Sequence, residues 1–149
     1  MTQGIFELRK VTEEDRQLLF EWANDPAVRE NAFGMDQITK EEHDQWFRKV
    51  IRNPSIVMYV LMLNDIPIGQ CRLTVEGGIA DIDYSVDRRF RGQGIGKILL
   101  NLIEREVIEH HMEIRALSGR VKSGNRPSVK CFKDNGYEKS YLVFEKQIK

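Results

Sequence analysis

Seven residues near the middle of the chain, Arg91-Gly92-Gln93-Gly94-Ile95-Gly96-Lys97, separate a strand-like run ending at Val86 from a strongly helical one. Alternating glycines at such a turn suit an anion. The first amides of a helix have no intrahelical partners, the helix dipole favours negative charge there, and missing β-carbons let a pyrophosphate approach the backbone. A P-loop is excluded, because Gly96-Lys97 has Arg91 five residues before it and Ile98 after it, where that motif needs glycine and Ser or Thr. A dinucleotide fingerprint beginning at Gly92 and Gly94 would need its third glycine where Lys97 stands.

Carboxylates and imidazoles offer proton transfer. Asp81 and Asp83 share one face of the strand-like "IADIDYSV" by the two-residue period of a strand. They are candidate bases; solvated or salt-bridged strand carboxylates are the alternative. His43 begins the apolar stripe of a helix and titrates near neutrality. His110 and His111 end the long helix, where positive charge complements the dipole. Cys71 and Cys131 have no His or Cys at metal-ligand spacing, so no metal is expected and free thiols in a reducing compartment are.

The elements that must position these groups follow from periodicity. With 149 residues, 31% of them charged, the chain reads as one ordinary globular domain over residues 1–149. Lys plus Arg and Asp plus Glu both number 23, so no global field favours nucleic acid or an anionic membrane. "MTQGIFELRK" carries no signal-peptide stretch, and the run Ile56–Leu63 is too short to span a membrane, so a cytoplasmic protein is expected. "IFELRKV" predicts an opening strand. Thr12 with Asp15, and Thr39 with Glu42, start two helices with capping-box spacing. Pro26 after Asp25 argues for a break, and Asn53-Pro54 ends the second helix.

"IVMYVLML", "IGQCRLTV" and "IADIDYSV", separated by Asn64-Asp65 and Gly77-Gly78, predict an antiparallel meander. A helix over about 94–110 presents Ile95, Ile98, Leu99, Leu102, Ile103 and Val107 on one face. "IRALSGRV" predicts a strand, residues 127–135 a short helix closed by Gly136, and "YEKSYLVFEK" a final strand. The order β-α-α-β-β-β-α-β-α-β describes one α/β (α+β) domain with a mixed, mostly antiparallel sheet flanked by helices.

Two motifs within that order carry a resemblance. Arg91-Gly-Gln-Gly94-Ile-Gly96 resembles the R/Q-x-x-G-x-G/A signature of the GNAT N-acetyltransferases, and Asn125 to Tyr137 resembles their N-x-x-A-x-x-x-Y/F-x-x-x-G-F/Y segment. The resemblance spans essentially the whole chain. It implies the GNAT fold, direct acetyl transfer from acetyl-CoA to a primary amine, and a homodimer through edge or C-terminal strands. It also implies that amides of Gly92, Gln93, Gly94, Ile95, Gly96 and Lys97, with Arg91, hold the coenzyme's pyrophosphate. Val86 would pair with pantetheine amides and polarise the thioester, and Asn125 and Ser128 would flank the thiol end. Lys133 would reach the nucleotide phosphates, with a solvated helix charge as the alternative. Relatives use a Tyr of the last helix to protonate the thiolate; Phe132 stands there instead. Water, the ammonium proton, Tyr84, Tyr137 and Tyr141 remain open as its replacement.

The acceptor end of the family lies in the first two helices. "WANDPAVRENAF" and "EEHDQWF" resemble the pseudaminic-acid-pathway branch, which acetylates the 4-amino group of a UDP-linked amino sugar. A UDP-sugar offers a base for Trp22 or Trp46 to stack, a phosphate for Arg29 to fork and hydroxyls for Asn24 or Asn31 to meet. The alternative puts both tryptophans, which lie on helix stripes, in the core and gives Arg29 a local cap or pair. His43, at the start of its stripe, is expected to face the cleft or to stay within the helix packing. Ribosomal-protein-type N-terminal or polyamine acetyl transfer is the alternative, and a CoA-binding module without catalysis is the second.

Overall fold

A computed structural model describes residues 4–148; residues 1–3 and Lys149 lie outside them. The elements run β1 (Phe6–Lys10), a 3-10 turn, α1 (Arg16–Ala23), α2 (Pro26–Asn31), α3 (Lys40–Arg52), β2 (Ile56–Leu63), β3 (Ile66–Glu76), β4 (Ile79–Val86), a second 3-10 turn, α4 (Ile95–His110), β5 (Ala116–Gly119) and α5 (Arg126–Asp134). The five strands form one sheet in the order β1-β2-β3-β4-β5. The first four are antiparallel, and the β4–α4–β5 crossover makes β5 parallel to β4.

Local chemistry sets these boundaries. Asn64 and Asp65 both adopt positive φ, as do Gly77 and Gly78, giving the two-residue turns whose twist suits a hairpin. Thr39 caps α3, its hydroxyl accepting from the Glu42 amide at 3.1 Å. The Thr12 amide donates to Asp15 at 2.8 Å, and Arg9 holds the same carboxylate at 2.7 Å, fastening α1 to β1.

Both faces of the sheet are covered, which explains why β2 reads as an unbroken apolar run. Tyr59, Leu61 and Leu63 join Leu99, Leu100 and Ile103 of α4 on one face. Met58 and Val60 join Leu19 and Trp22 of α1 and Phe47 and Val50 of α3 on the other. β4 divides its side chains in the same way. Ala80 and Ile82 enter the α4 core, whereas Asp81 and Asp83 point toward α3.

Two expectations need correction. The Pro26 break begins a further helix, α2, because Asp25 accepts from the Ala27 amide at 3.0 Å and proline is preorganised for the first helical turn. The final strand does not form within residues 137–148, where Tyr141, Leu142, Val143 and Phe144 are 59–88% exposed. Alternating β-formers supply propensity, but a strand exists only when a neighbour takes its backbone hydrogen bonds.

Candidate active site

A cleft of about 1260 Å³ opens where β4 and β5 part. Their pairing stops at Ile82–Gly119, while β4 continues alongside β3 as far as Val86. The Asp87 amide donates to the Ile68 carbonyl at 2.8 Å, so odd-numbered β4 residues bond to β3 and the backbone groups of Tyr84 and Val86 face the gap. An extended chain bearing amides could pair there as an added strand.

The glycine turn forms one end of this cleft. Gly92 and Gly94 have φ of +77°, and a β-carbon built on either meets nothing within 4 Å. Their first requirement is therefore the left-handed backbone, and the space before them is open to a ligand. Gly94 caps α4 without a side chain, leaving the early helical amides accessible to an anion. Gly96 has a different task. A β-carbon there would lie 3.0 Å from Cys131 Sγ and 3.4 Å from the Tyr84 ring, so its absence allows α4, α5 and β4 to close together.

Arg91 fixes the turn from outside. Its Nε donates to the Val86 carbonyl at 3.0 Å, and its guanidinium meets Asp25 at 3.1 Å. Ile95 and Lys97 also line the cleft, and Gln93 lies between them and Gly92 in the turn. At the opposite wall, Asn125 caps α5 by accepting from the Ser128 amide, and Ser128 Oγ lies 2.8 Å from Tyr84 Oη. Lys133 is exposed on α5 and is absent from the cleft lining, where Lys130 and Asp134 stand instead, paired at 2.8 Å.

The other half of the cleft lies between α1–α3 and the outer face of β4. Asp83 pairs with Arg72 at 3.0 Å, and the Arg72 guanidinium also lies over Trp46, 5.2 Å from the ring centroid. Asp81 meets Arg120 at 3.9 Å, with Arg120 over Phe33 at the rim. His43 is only 3% exposed yet lines the cleft, and neither ring nitrogen has a hydrogen-bond partner among the described residues. Phe20, Trp46 and Phe47 surround it. Burial is the main reason its imidazole loses its proton more readily than an ordinary histidine, so it is neutral at pH 7.

Three expected acceptor contacts take another form. Arg29 donates to the carbonyls of Ala23, Gly34 and Asp36, clamping its own loop rather than forking a phosphate. Asn24 exchanges two hydrogen bonds with the Ile38 backbone, at 2.7 and 2.8 Å, so its amide is committed. Trp22 forms part of the wall but is buried, with its indole N–H donating to Asp87 at 2.9 Å; it offers no exposed stacking platform. Asn31 lines the cleft and donates to the Ala27 carbonyl. His110 and His111 end α4 as expected, and His111 Nε2 lies 2.9 Å from Tyr59 Oη, on the α4 side of the sheet. Sequence periodicity places Tyr84 on β4 without indicating its hydroxyl contact, which only tertiary packing creates.

Comparison with known proteins gives a consistent picture. Residues 6–138 match the family described as acetyltransferase (GNAT) domain. The aminoglycoside N(6')-acetyltransferase type 1 of Klebsiella pneumoniae is 24% identical over 152 aligned positions, which cover 91% of this chain and 75% of that protein. Spermidine N-acetyltransferase from Vibrio cholerae, solved in complex with CoA and spermine, has a TM-score of 0.84 at 17% identity, covering 97% of this chain and 88% of that one. A domain from Methanocaldococcus jannaschii DSM 2661 has a TM-score of 0.83 at 19% identity, covering 96% and 94%. At such identities the structural likeness concerns the fold.

Proposed function

The chain belongs to the GNAT acetyltransferase family, and from that premise we propose that it transfers the acetyl group of acetyl-CoA to the primary amine of an amino sugar. Acetyl-CoA supplies the activated thioester. The protein's own contributions to holding it are the left-handed glycines, the open amides of α4 and the β4 backbone facing the gap. The Val86 N–H is assigned to the thioester carbonyl, where a fixed donor stabilises developing negative charge. Asp81 and Asp83 stand on the acceptor side and receive the amine's surplus proton through water.

The observation that carries the acceptor assignment is His43. A neutral imidazole has one donor and one acceptor nitrogen, and burying both without partners is unfavourable. A hydroxyl can meet either nitrogen, whereas a polyamine offers only N–H donors when charged. The pairing of Asp83 with Arg72 and Asp81 with Arg120 further reduces the negative field a polycation would require. A hydroxyl-bearing amine fits this arrangement better than spermidine.

The finer form of this proposal is a UDP-linked 4-amino sugar. Arg120, 65% exposed at the rim, takes the phosphate-facing place that Arg29 cannot fill. Steady-state CoA release should be measured with UDP-4-amino sugars, aminoglycosides, spermidine and peptide N-termini. The highest kcat/KM is expected for an amino sugar, with UDP removal lowering it by orders of magnitude through lost remote binding. More efficient acetylation of spermidine or a peptide would refute the amino-sugar assignment.

A further inference from the structure

Acetyl transfer ends with a thiolate that must acquire a proton, and Phe132 has none to give. The Phe132 ring lies beneath β5, where a β-carbon at Gly119 would collide with it. Tyr137 meets Phe132 edge-on at 4.9 Å, but its hydroxyl is buried without a hydrogen-bond partner among the described residues. Tyr141 is exposed on the C-terminal tail.

Tyr84 has a different setting. It lies on the part of β4 beyond the last β5 pair, and it lines the cleft together with Ser128. The two hydroxyl oxygens are 2.8 Å apart. Phe132 supports the Tyr84 ring edge-on, with centroids 5.8 Å apart. Gly96 lies beside that ring, its β-carbon position 3.4 Å from the ring edge and 3.7 Å from the tyrosine oxygen. Ser128 precedes Phe132 by one helical turn on α5, so the hydroxyl pair occupies the neighbouring turn of the same wall.

Resting on the acetyl-transfer reading above, we propose that Tyr84 is the catalytic acid for the CoA thiolate and that Ser128 positions its hydroxyl. As the amine forms the new C–N bond and the C–S bond breaks, with its electrons retained by sulfur, Tyr84 gives its phenolic proton to that sulfur. Ser128 turns its own O–H toward the phenolate oxygen and returns a proton to it from solvent water. The proton released by the acetylated nitrogen passes to water, so the cycle leaves the proton count unchanged. Burial, the largest influence on Tyr84, raises the phenol above its ordinary range and keeps it protonated at neutral pH.

The test is the ionisation of bound CoA, followed by ultraviolet difference titration of CoA-bound against desulfo-CoA-bound protein. Tyr84→Phe preserves the ring and removes the donor. The bound thiol should then ionise about one pH unit higher, a tenfold change in its ionisation constant. With any acceptor that turns over, kcat should fall about 10²-fold, with the KM for acetyl-CoA within about threefold. Ser128→Ala should shift the thiol in the same direction by less, which a purely structural serine would not do. If Tyr84→Phe does not fold, the Ser128→Ala titration decides the proposal. An unchanged thiol ionisation in a folded variant that still binds CoA overturns it, whatever the activity. Absence of turnover with every amine would instead overturn the transferase reading, while the titration still reports on Tyr84.

Discussion

The Trp22 indole donates to the Asp87 carboxylate at 2.9 Å across 65 positions of sequence, joining α1 to the segment that follows β4. Asp87 also accepts from the Arg89 amide at 2.9 Å, so one buried carboxylate ties the α1 wall of the cleft to the approach of the glycine turn. Trp22→Phe keeps most of the apolar packing and removes one charge-assisted donor. The expected loss is about 1–3 kcal/mol of folding stability. Urea denaturation should show a lower midpoint at unchanged slope; an unaltered midpoint would dismiss the contact as incidental.

The same carboxylate predicts an acid limb in stability. Burial alone would raise the Asp87 pKa, but hydrogen bonds from Arg89 and Trp22 outweigh it and lower the value to about 2. An unfolded Asp titrates near about 3.9. Its stabilisation is therefore complete above about pH 5 and is lost as pH falls through about 2, amounting to roughly 2.5 kcal/mol. Comparing Asp87→Asn with the parent by denaturation across that range should flatten this limb. An equally steep acid limb in the variant would locate the titration elsewhere.

His43 yields a separate pH signature. Its folded pKa is lowered, chiefly by burial, so the unfolded chain takes up a proton before the folded one. Stability attributable to His43 is therefore full above about pH 6.5 and declines as pH falls through and below it. His43→Phe should remove that dependence while raising the KM of a hydroxyl-bearing acceptor about tenfold, the effect of roughly 1.4 kcal/mol. Retention of the acceptor KM would count against the hydroxyl contact.

Much of this architecture is legible in the sequence because its signals are local. The α4 stripe, the Thr39 cap and the Asn64-Asp65 and Gly77-Gly78 turns each depend on neighbours within a few residues. The glycine turn is legible for the same reason, although the structure assigns its glycines two tasks: left-handed backbone at Gly92 and Gly94, close packing at Gly96. The polar residues of the acceptor half are less legible. Arg29, Asn24 and Trp22 have the chemistry to meet a nucleotide sugar, but Arg29 and Asn24 engage irregular loop backbone that no helix or strand period predicts. Trp22 engages a carboxylate 65 positions away, fixed only by tertiary folding. The Tyr84–Ser128 pair joins β4 to α5 across 44 positions and leaves no periodic trace. The 137–148 tail shows the reverse case, local β propensity without a paired neighbour.

At the glycine turn, Gly94→Asp and Gly94→Asn separate charge from backbone strain. Both side chains tolerate left-handed φ better than most, so similar folding costs are expected at the +77° position. Only Asp adds a negative charge before the α4 amides. Calorimetry should show acetyl-CoA binding at least about tenfold weaker for Gly94→Asp than for Gly94→Asn. Equal affinities in two folded variants would remove the pyrophosphate from this turn.

The paired carboxylates of β4 give the final prediction. Asp83 is held by Arg72 and Asp81 by Arg120, and both carboxylates are about half exposed, at 55% and 43%. Water reaches each of them, so neither is the sole route for the amine's proton. Asp81→Asn and Asp83→Asn should each retain measurable turnover. A fall beyond about 10⁴-fold, the upper range for one general base, would make that residue indispensable. Arg72→Gln tests the same geometry from the other side. It releases Asp83 into the acceptor half and leaves a side chain able to pack against Trp46. An uncompensated carboxylate attracts ammonium groups, so the ratio of kcat/KM for spermidine over an amino sugar should rise about tenfold. The same assay with Arg72→Gln and Asp83→Asn combined should return the ratio toward the parent value, because the attracting charge is gone. A raised ratio that persists in the double variant would show that Arg72 acts on specificity without Asp83.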